Sequence, residues 1–253
     1  MIDSNTVDVP LKPTAIEQIK YLDGATVIDD EISLPISYEA TAEIIASGTC
    51  LIVREAFDPA LLCELYMRTL TRFHDVTPAF RANTWGSADY WRIDDNPPAS
   101  SIPKIQSLYF NFLWNNSDPE VTRIARALAN MRNRIGGLPD NYGFTKGEEW
   151  NVFPVIQHYP RGGGKISKHS DPILPQRCVA SLLMGKDFDS GGLFVELNGD
   201  EVLVDPHQNP GDIFVFRPNI PHGVAPVDPD ETIDFLSPTG RWRMASILSE
   251  AVG

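Results

Sequence analysis

Lys165-Ile166-Ser167-Lys168-His169-Ser170-Asp171 is the stretch on which the reading of this chain turns. Its first five residues read as a short strand. Residues two apart on a strand face the same side, so His169 and Asp171 can grip one metal ion together. His222, on a distant strand, adds a second imidazole. Two histidines and one carboxylate on one side of an ion leave coordination positions open on the other.

Working outward, the texture from Trp150 onward is of short apolar or alternating runs broken by Gly, Pro, Asp and Asn. Strands are expected at Trp150–Tyr159, Lys165–His169, Arg177–Met184, Leu193–Leu197, Glu201–Val204, Asp212–Phe216, His222–Val224 and Arg241–Leu248. Turns fall between them at Asp189-Ser190-Gly191-Gly192, Asn198-Gly199-Asp200 and Asn209-Pro210-Gly211-Asp212. Many short strands at close spacing predict a β-sandwich or barrel.

The N-terminal half reads differently. The first 35 residues look like an extended, partly ordered lead-in. Asp58-Pro59 is an N-cap followed by a first-turn proline, and Leu62, Leu65, Tyr66, Thr69, Leu70 and Phe73 repeat behind it at helical spacing. Asp118-Pro119 opens a second helix, with Val121, Ile124, Ala125, Leu128, Met131 and Ile135 as its apolar stripe and Gly136-Gly137 as its stop. A shorter helix is expected from Tyr38 to Ala46. The two long helices should pack on one outer face of the barrel. The expectation is one domain over residues 1–253: a helical, substrate-covering half (1–149) and a β catalytic core (150–253).

Composition narrows the function. The chain has 253 residues, 42% of them apolar, which is ordinary for a globular protein. Its formal net charge of −13, with no basic run, argues against nucleic acid and against an anionic membrane as partners. Cys50, Cys63 and Cys178 lack metal-ligand spacing and read as buried, reduced thiols. The N-terminus lacks a signal-peptide pattern, and no apolar run approaches a bilayer's width, so the expected location is the cytoplasm.

The last hundred residues resemble the Fe(II)- and 2-oxoglutarate-dependent dioxygenases. The match runs through Tyr159-Pro160-Arg161-Gly162, His169-Ser170-Asp171, Gly191-Gly192-Leu193-Phe194, Pro210-Gly211-Asp212, Pro221-His222-Gly223-Val224-Ala225-Pro226-Val227 and Gly240-Arg241-Trp242-Arg243. The resemblance implies a mainly β fold with helical N-terminal additions, a double-stranded β-helix (jelly-roll, cupin-like) core packed with two or three helices. It implies Fe(II) on His169, Asp171 and His222, with 2-oxoglutarate and dioxygen as co-substrates. It also implies an arginine for the distal carboxylate of 2-oxoglutarate, because a guanidinium fork binds both carboxylate oxygens. Arg243-Met244-Ala245 fits the family pattern better than Arg241, two residues earlier on the same face. Tyr159 is a further candidate for the co-substrate. In halogenating relatives the carboxylate position is glycine or alanine, so Asp171 favours hydroxylation, with release of succinate and carbon dioxide.

The substrate is less legible. Trp85, Tyr90, Trp91, Tyr109, Phe110, Phe112 and Trp114 crowd one segment and either line a pocket or pack the helices onto the barrel. Trp85, Trp91, Arg92 and Arg177 are the candidate substrate contacts, with Arg81, Arg92 or Arg177 able to anchor a carboxylate. The expected substrate is a small molecule, such as an amino acid or a secondary-metabolite intermediate. Three alternatives stay open: a cupin-like isomerase or metal-dependent binder that uses no 2-oxoglutarate, a protein side-chain hydroxylase, and a barrel used only as a scaffold. The sequence leaves the oligomeric state undetermined. His74, His158 and His207 lack the ligand context and read as structural or surface residues.

Overall fold

Continuous apolar strands such as Cys50–Val53 and Ile213–Phe216 can be satisfied only where both faces of a sheet are covered. The computed structural model, which describes residues 15–250 except 82, 99 and 174, shows that arrangement. In chain order the strands are β1 (Ile19–Leu22), β2 (Thr26–Ile28), β3 (Glu31–Ser33), β4 (Cys50–Val53), β5 (Tyr90–Asp95), β6 (Lys104–Phe110) and β7 (Trp150–Tyr159). They continue as β8 (Gly164–His169), β9 (Val179–Asp187), β10 (Gly192–Leu197), β11 (Asp200–Leu203), β12 (Ile213–Phe216), β13 (His222–Val227) and β14 (Gly240–Glu250). The helices are α1 (Tyr38–Ala46), α2 (Pro59–Phe73) and α3 (Pro119–Gly136).

Twelve strands form one curled sheet in the order β1-β4-β12-β9-β14-β7-β6-β8-β13-β10-β11, with β5 beside β6; β2 and β3 form a separate hairpin. Strand β6 joins the two halves of the curl. Its residues Ser107–Phe110 pair with β7, while Lys104 and Ile105 pair with β8. The fold is a double-stranded β-helix, as the sequence led us to expect.

The N-terminal half is less helical than expected. Besides the three helices it supplies β1 to β6, and β4 sits inside the sheet between β1 and β12. Ile19–Leu22, within the expected lead-in, runs parallel to β4. Residues 1–14 lie outside the described residues. The eight C-terminal strands fall where the sequence puts them, to within a few residues.

Side chains alternate across this sheet. Cys50, Ile52, Phe214 and Phe216 point inward to a core with Leu193 and Val195. Leu51, Val53, Ile213 and Val215 point outward to a second core, beneath α2 and α3. Both helices start at the anticipated caps. The Asp58 carboxylate accepts from the Ala60 N–H at 2.9 Å, and Asp118 accepts from the Glu120 and Val121 N–H groups at 3.1 and 3.2 Å. Helix α3 ends on Gly137 at φ 72°, a left-handed position that glycine adopts without a side-chain clash.

Of the three cysteines, Cys50 and Cys178 are buried thiols, but Cys63 is exposed on α2. A helix docked on one face leaves its opposite stripe in solvent, and Cys63 lies on that stripe. Among the described residues, no helix is long and apolar enough to cross a membrane.

Candidate metal centre and its cavity

Strands β8 and β13 pair antiparallel with His169 directly across from His222. This register sets the two rings side by side, with centroids 4.4 Å apart. Asp171 follows just beyond the end of β8. Its backbone N–H donates to the Pro218 carbonyl at 2.9 Å, which ties the loop to the approach to β13. Asp171 Oδ1 lies 3.8 Å from His169 Nε2, and its Oδ2 lies 3.6 Å from His222 Nε2. One donor atom from each residue falls within 4.8 Å of the others, so the set can converge on a single ion.

The tautomers suit that role. His169 Nδ1 is 2.9 Å from the Ser167 carbonyl, and His222 Nδ1 is 2.9 Å from the Ile220 carbonyl. A carbonyl can only accept, so each Nδ1 carries its proton, and Nε2 is the ring nitrogen that faces Asp171. Burial pushes the His222 imidazolium down to about 4, with His169 and Arg243 adding to the effect and the Ile220 carbonyl and Asp171 opposing it. His222 is therefore a neutral donor near pH 7. The Phe216 ring meets it edge-on, 4.8 Å between centroids. Gly223 permits the close pairing of β13 with β8: a Cβ there would lie 2.7 Å from the Ile166 carbonyl oxygen and 2.8 Å from the Phe194 ring.

The triad opens into a cavity of about 360 Å³ inside the barrel. Tyr159 lines it and is itself fully covered. Arg243 also lines it. Its Nε donates to Gln157 Oε1 at 2.5 Å and its Nη1 to Ser181 Oγ at 3.3 Å. No carboxylate pairs with Arg243 among the described residues.

Arg241 is placed otherwise. Its Nε and Nη2 donate to the two carboxylate oxygens of Asp205 at 2.7 and 2.9 Å. Both residues are about 1% exposed, and Arg241 does not line the cavity. Asp205 Oδ2 also accepts from the Leu193 N–H at 2.7 Å. Gly192 leaves room for this carboxylate, since a Cβ there would lie 2.3 Å from that same oxygen. The pair ties β14 to the turn entering β10.

Of the four candidate substrate contacts, one reaches the cavity. Arg92 lines it. Trp91 precedes Arg92 on β5 and so faces the opposite side, stacked on Tyr109 with 5.5 Å between centroids. Trp85 packs at a tilt of 39° against Trp114, with 4.6 Å between centroids. Arg177 is exposed and lines a different cleft, beside Arg217. The aromatics mostly pack elements together: Tyr109 and Trp242 join Phe73 and Tyr66 of α2 to the sheet. Trp242 also carries the ring of His158, 4.1 Å away, on the face opposite Tyr159.

Lys104, Gln106 and Gln157 line the cavity and were not anticipated. Gln106 Nε2 donates to Asp94 Oδ2 at 3.0 Å, and Gln157 Nε2 to Gln106 Oε1 at 3.4 Å. These bonds run from β5 through β6 and β7 to Arg243 on β14. The alternation Lys104-x-Gln106-x-Leu108 is the sequence signal for this strand face.

No protein-family profile matches the chain, and no curated protein does. Solved structures do. A prolyl-4-hydroxylase from Pseudomonas putida aligns with a TM-score of 0.54 and 17% identity over 83% of this chain and 97% of that one. A putative oxygenase from Shewanella oneidensis aligns with a TM-score of 0.53 and 15% identity over 92% of this chain and 90% of that one. At these identities the likeness is one of fold.

Proposed function

We propose that this protein is an Fe(II)- and 2-oxoglutarate-dependent oxygenase that hydroxylates an unactivated C–H bond of a small molecule, such as an amino acid or a secondary-metabolite intermediate. One observation carries the reading: a His-Asp-His set shares a barrel cavity with Arg243, a guanidinium that no carboxylate neutralises among the described residues. An unpaired cation in a partly desolvated site is costly unless a ligand completes it. The distal carboxylate of 2-oxoglutarate is a ligand of the right charge and shape.

His169, Asp171 and His222 would hold Fe(II), with the two Nε2 lone pairs and one Asp171 oxygen as donors. Bound iron would activate dioxygen, the oxidant, which takes two electrons from 2-oxoglutarate as it becomes succinate and carbon dioxide and two from the substrate C–H bond. Arg243 receives the distal carboxylate, and Gln157 and Ser181 hold its fork in place. Tyr159 lies in the same wall and adds a hydroxyl. Ile166, Leu193 and Val224 line the cavity around the ligands and exclude water from it. What supports Arg243 over Arg241 as the co-substrate residue is that Arg241 already has both oxygens of Asp205. A cavity of about 360 Å³ suits a small molecule.

The test is anaerobic. Purified protein is mixed with Fe(II) and then 2-oxoglutarate, and the visible spectrum is recorded. The expected result is a weak charge-transfer band that needs both additions and is lost in His169→Ala. Iron bound without any band on adding 2-oxoglutarate sinks the proposal and favours a metal-dependent isomerase or binder.

A further inference from the structure

Besides Arg243, and Arg132, whose guanidinium is tied to the Ser246 carbonyl and the Asn133 side chain, the cavity wall holds two cations that the proposed chemistry leaves unused. Arg92 and Lys104 both line it. They come from adjacent strands, β5 and β6, and flank one carboxylate. Arg92 Nε is 3.3 Å from Asp94 Oδ1, and Lys104 Nζ is 3.6 Å from Asp94 Oδ2. Neither contact is tight. Arg92 Nε is buried and makes no hydrogen bond among the described residues. The third partner of Asp94, Gln106, is neutral.

Charge accounting follows from these contacts. In the proposed centre, the ion's two positive charges are met by Asp171 and one carboxylate of 2-oxoglutarate, and Arg243 meets the other carboxylate. That set is neutral. Arg92 and Lys104 with Asp94 keep one positive charge in excess. Their side chains are only 18% and 21% exposed, so water screens that excess poorly. The chain as a whole carries a net charge of −13, which makes a cationic patch inside it a local inversion rather than part of a basic surface.

We propose that Arg92 and Lys104 form a carboxylate-binding subsite and that the substrate of this protein is a carboxylate anion held there, apart from 2-oxoglutarate. Asp94 lies between both cations and positions them. The guanidinium supplies orientation through paired N–H donors, and the ammonium supplies charge. The substrate class rests on the oxygenase reading; the anion subsite itself does not.

Trifluoroacetate, followed by fluorine NMR, is a probe small enough to enter whatever the full substrate's shape. Binding is measured to the protein with Zn(II) and 2-oxoglutarate present, so that Arg243 is occupied, with trifluoroacetamide as the neutral counterpart. The affinity for 2-oxoglutarate is measured separately by calorimetry. The expected result is saturable binding of the acid and none of the amide. Arg92→Gln should weaken the acid about tenfold, and Arg92→Gln with Lys104→Gln about 100-fold. Neither change should move 2-oxoglutarate affinity more than about twofold. Asp94→Asn, which removes the competing carboxylate, should tighten the acid severalfold, and it serves as the check should the double variant fail to fold. Equal binding of acid and amide, no binding of the acid, no response to the double variant, or no tightening in Asp94→Asn overturns the subsite. A double variant that loses 2-oxoglutarate as strongly as Arg243→Gln assigns the pair to the co-substrate and overturns it too. Loss of the oxygenase reading shows separately, as failure of 2-oxoglutarate to bind wild-type protein while the acid still binds.

Discussion

Two arginines two residues apart on one strand have opposite fates, and their partners explain the difference. Arg241 is fully covered and closed in a two-point pair with Asp205. Arg243 meets, among the described residues, the neutral acceptors Gln157 and Ser181. Substitution should separate them. Arg243→Gln is expected to weaken 2-oxoglutarate about 100-fold while iron binding holds, because only the charge-assisted pair is lost. Calorimetry with each ligand in turn reads this, and an unchanged 2-oxoglutarate affinity would remove Arg243 from the co-substrate role. Arg241→Met should instead unfold more easily, by about 3–5 kcal/mol, because it leaves the buried Asp205 carboxylate unpaired. Urea titration measures that cost. Adding Asp205→Leu should recover most of it, since the pair then leaves no orphaned charge.

At the scale of elements, the metal centre is a product of strand register. His169 and His222 are 53 positions apart in the chain, counted from their numbers, yet they are direct cross-strand partners. A slip of one residue would send one ring to the other face. Gly223 protects this register, because any Cβ there would press on the Ile166 carbonyl and the Phe194 ring. Gly223→Val should therefore push β13 from β8 and lower iron affinity at least about tenfold, with the three ligands still in place. Retention of wild-type iron affinity by a folded Gly223→Val protein would show that the register tolerates the strain. Strand β5 shows the same two-residue logic: Trp91 serves the outer core, and Arg92, its neighbour, serves the cavity.

At the scale of the molecule, acid stability depends in part on His158, buried on β7 against the Trp242 ring. Burial pushes its pKa from 6.5 down to about 4, with the Thr239 carbonyl opposing the shift. The ring stays neutral in the folded protein, while the unfolded chain takes up a proton. Stability from this group is fully present above about pH 6.5 and is lost as pH falls towards about 4. The slope reaches about 1.4 kcal/mol per pH unit at most, one proton's worth. His158→Phe, which keeps a ring against Trp242, should lack this component. The stability difference between wild type and variant, followed by urea unfolding, should shift against the wild type across that window. A pH-independent difference would mean that His158 does not titrate as its burial implies.

What could be read from the chain alone was local. Helix caps at Asp58 and Asp118, the turns at Gly191-Gly192 and Gly211, and the alternation within the last hundred residues are all short-range signals, and they located three helices and eight strands of a double-stranded β-helix. His169, Asp171 and His222 stood out through their spacing and the motifs around them, although Asp171 lies past the end of β8, where its bond to the Pro218 carbonyl, not strand alternation, sets its place. Tertiary structure alone decided the pairing of β6 with both β7 and β8, the place of β4 inside the sheet, and which of Arg92, Arg177, Trp85 and Trp91 reaches the cavity. It also decided that Asp205 neutralises Arg241 and that, among the described residues, no carboxylate pairs with Arg243. Those outcomes depend on partners distant in sequence. Local propensity carries no information about which partner arrives, whereas packing and charge pairing in the closed barrel select one.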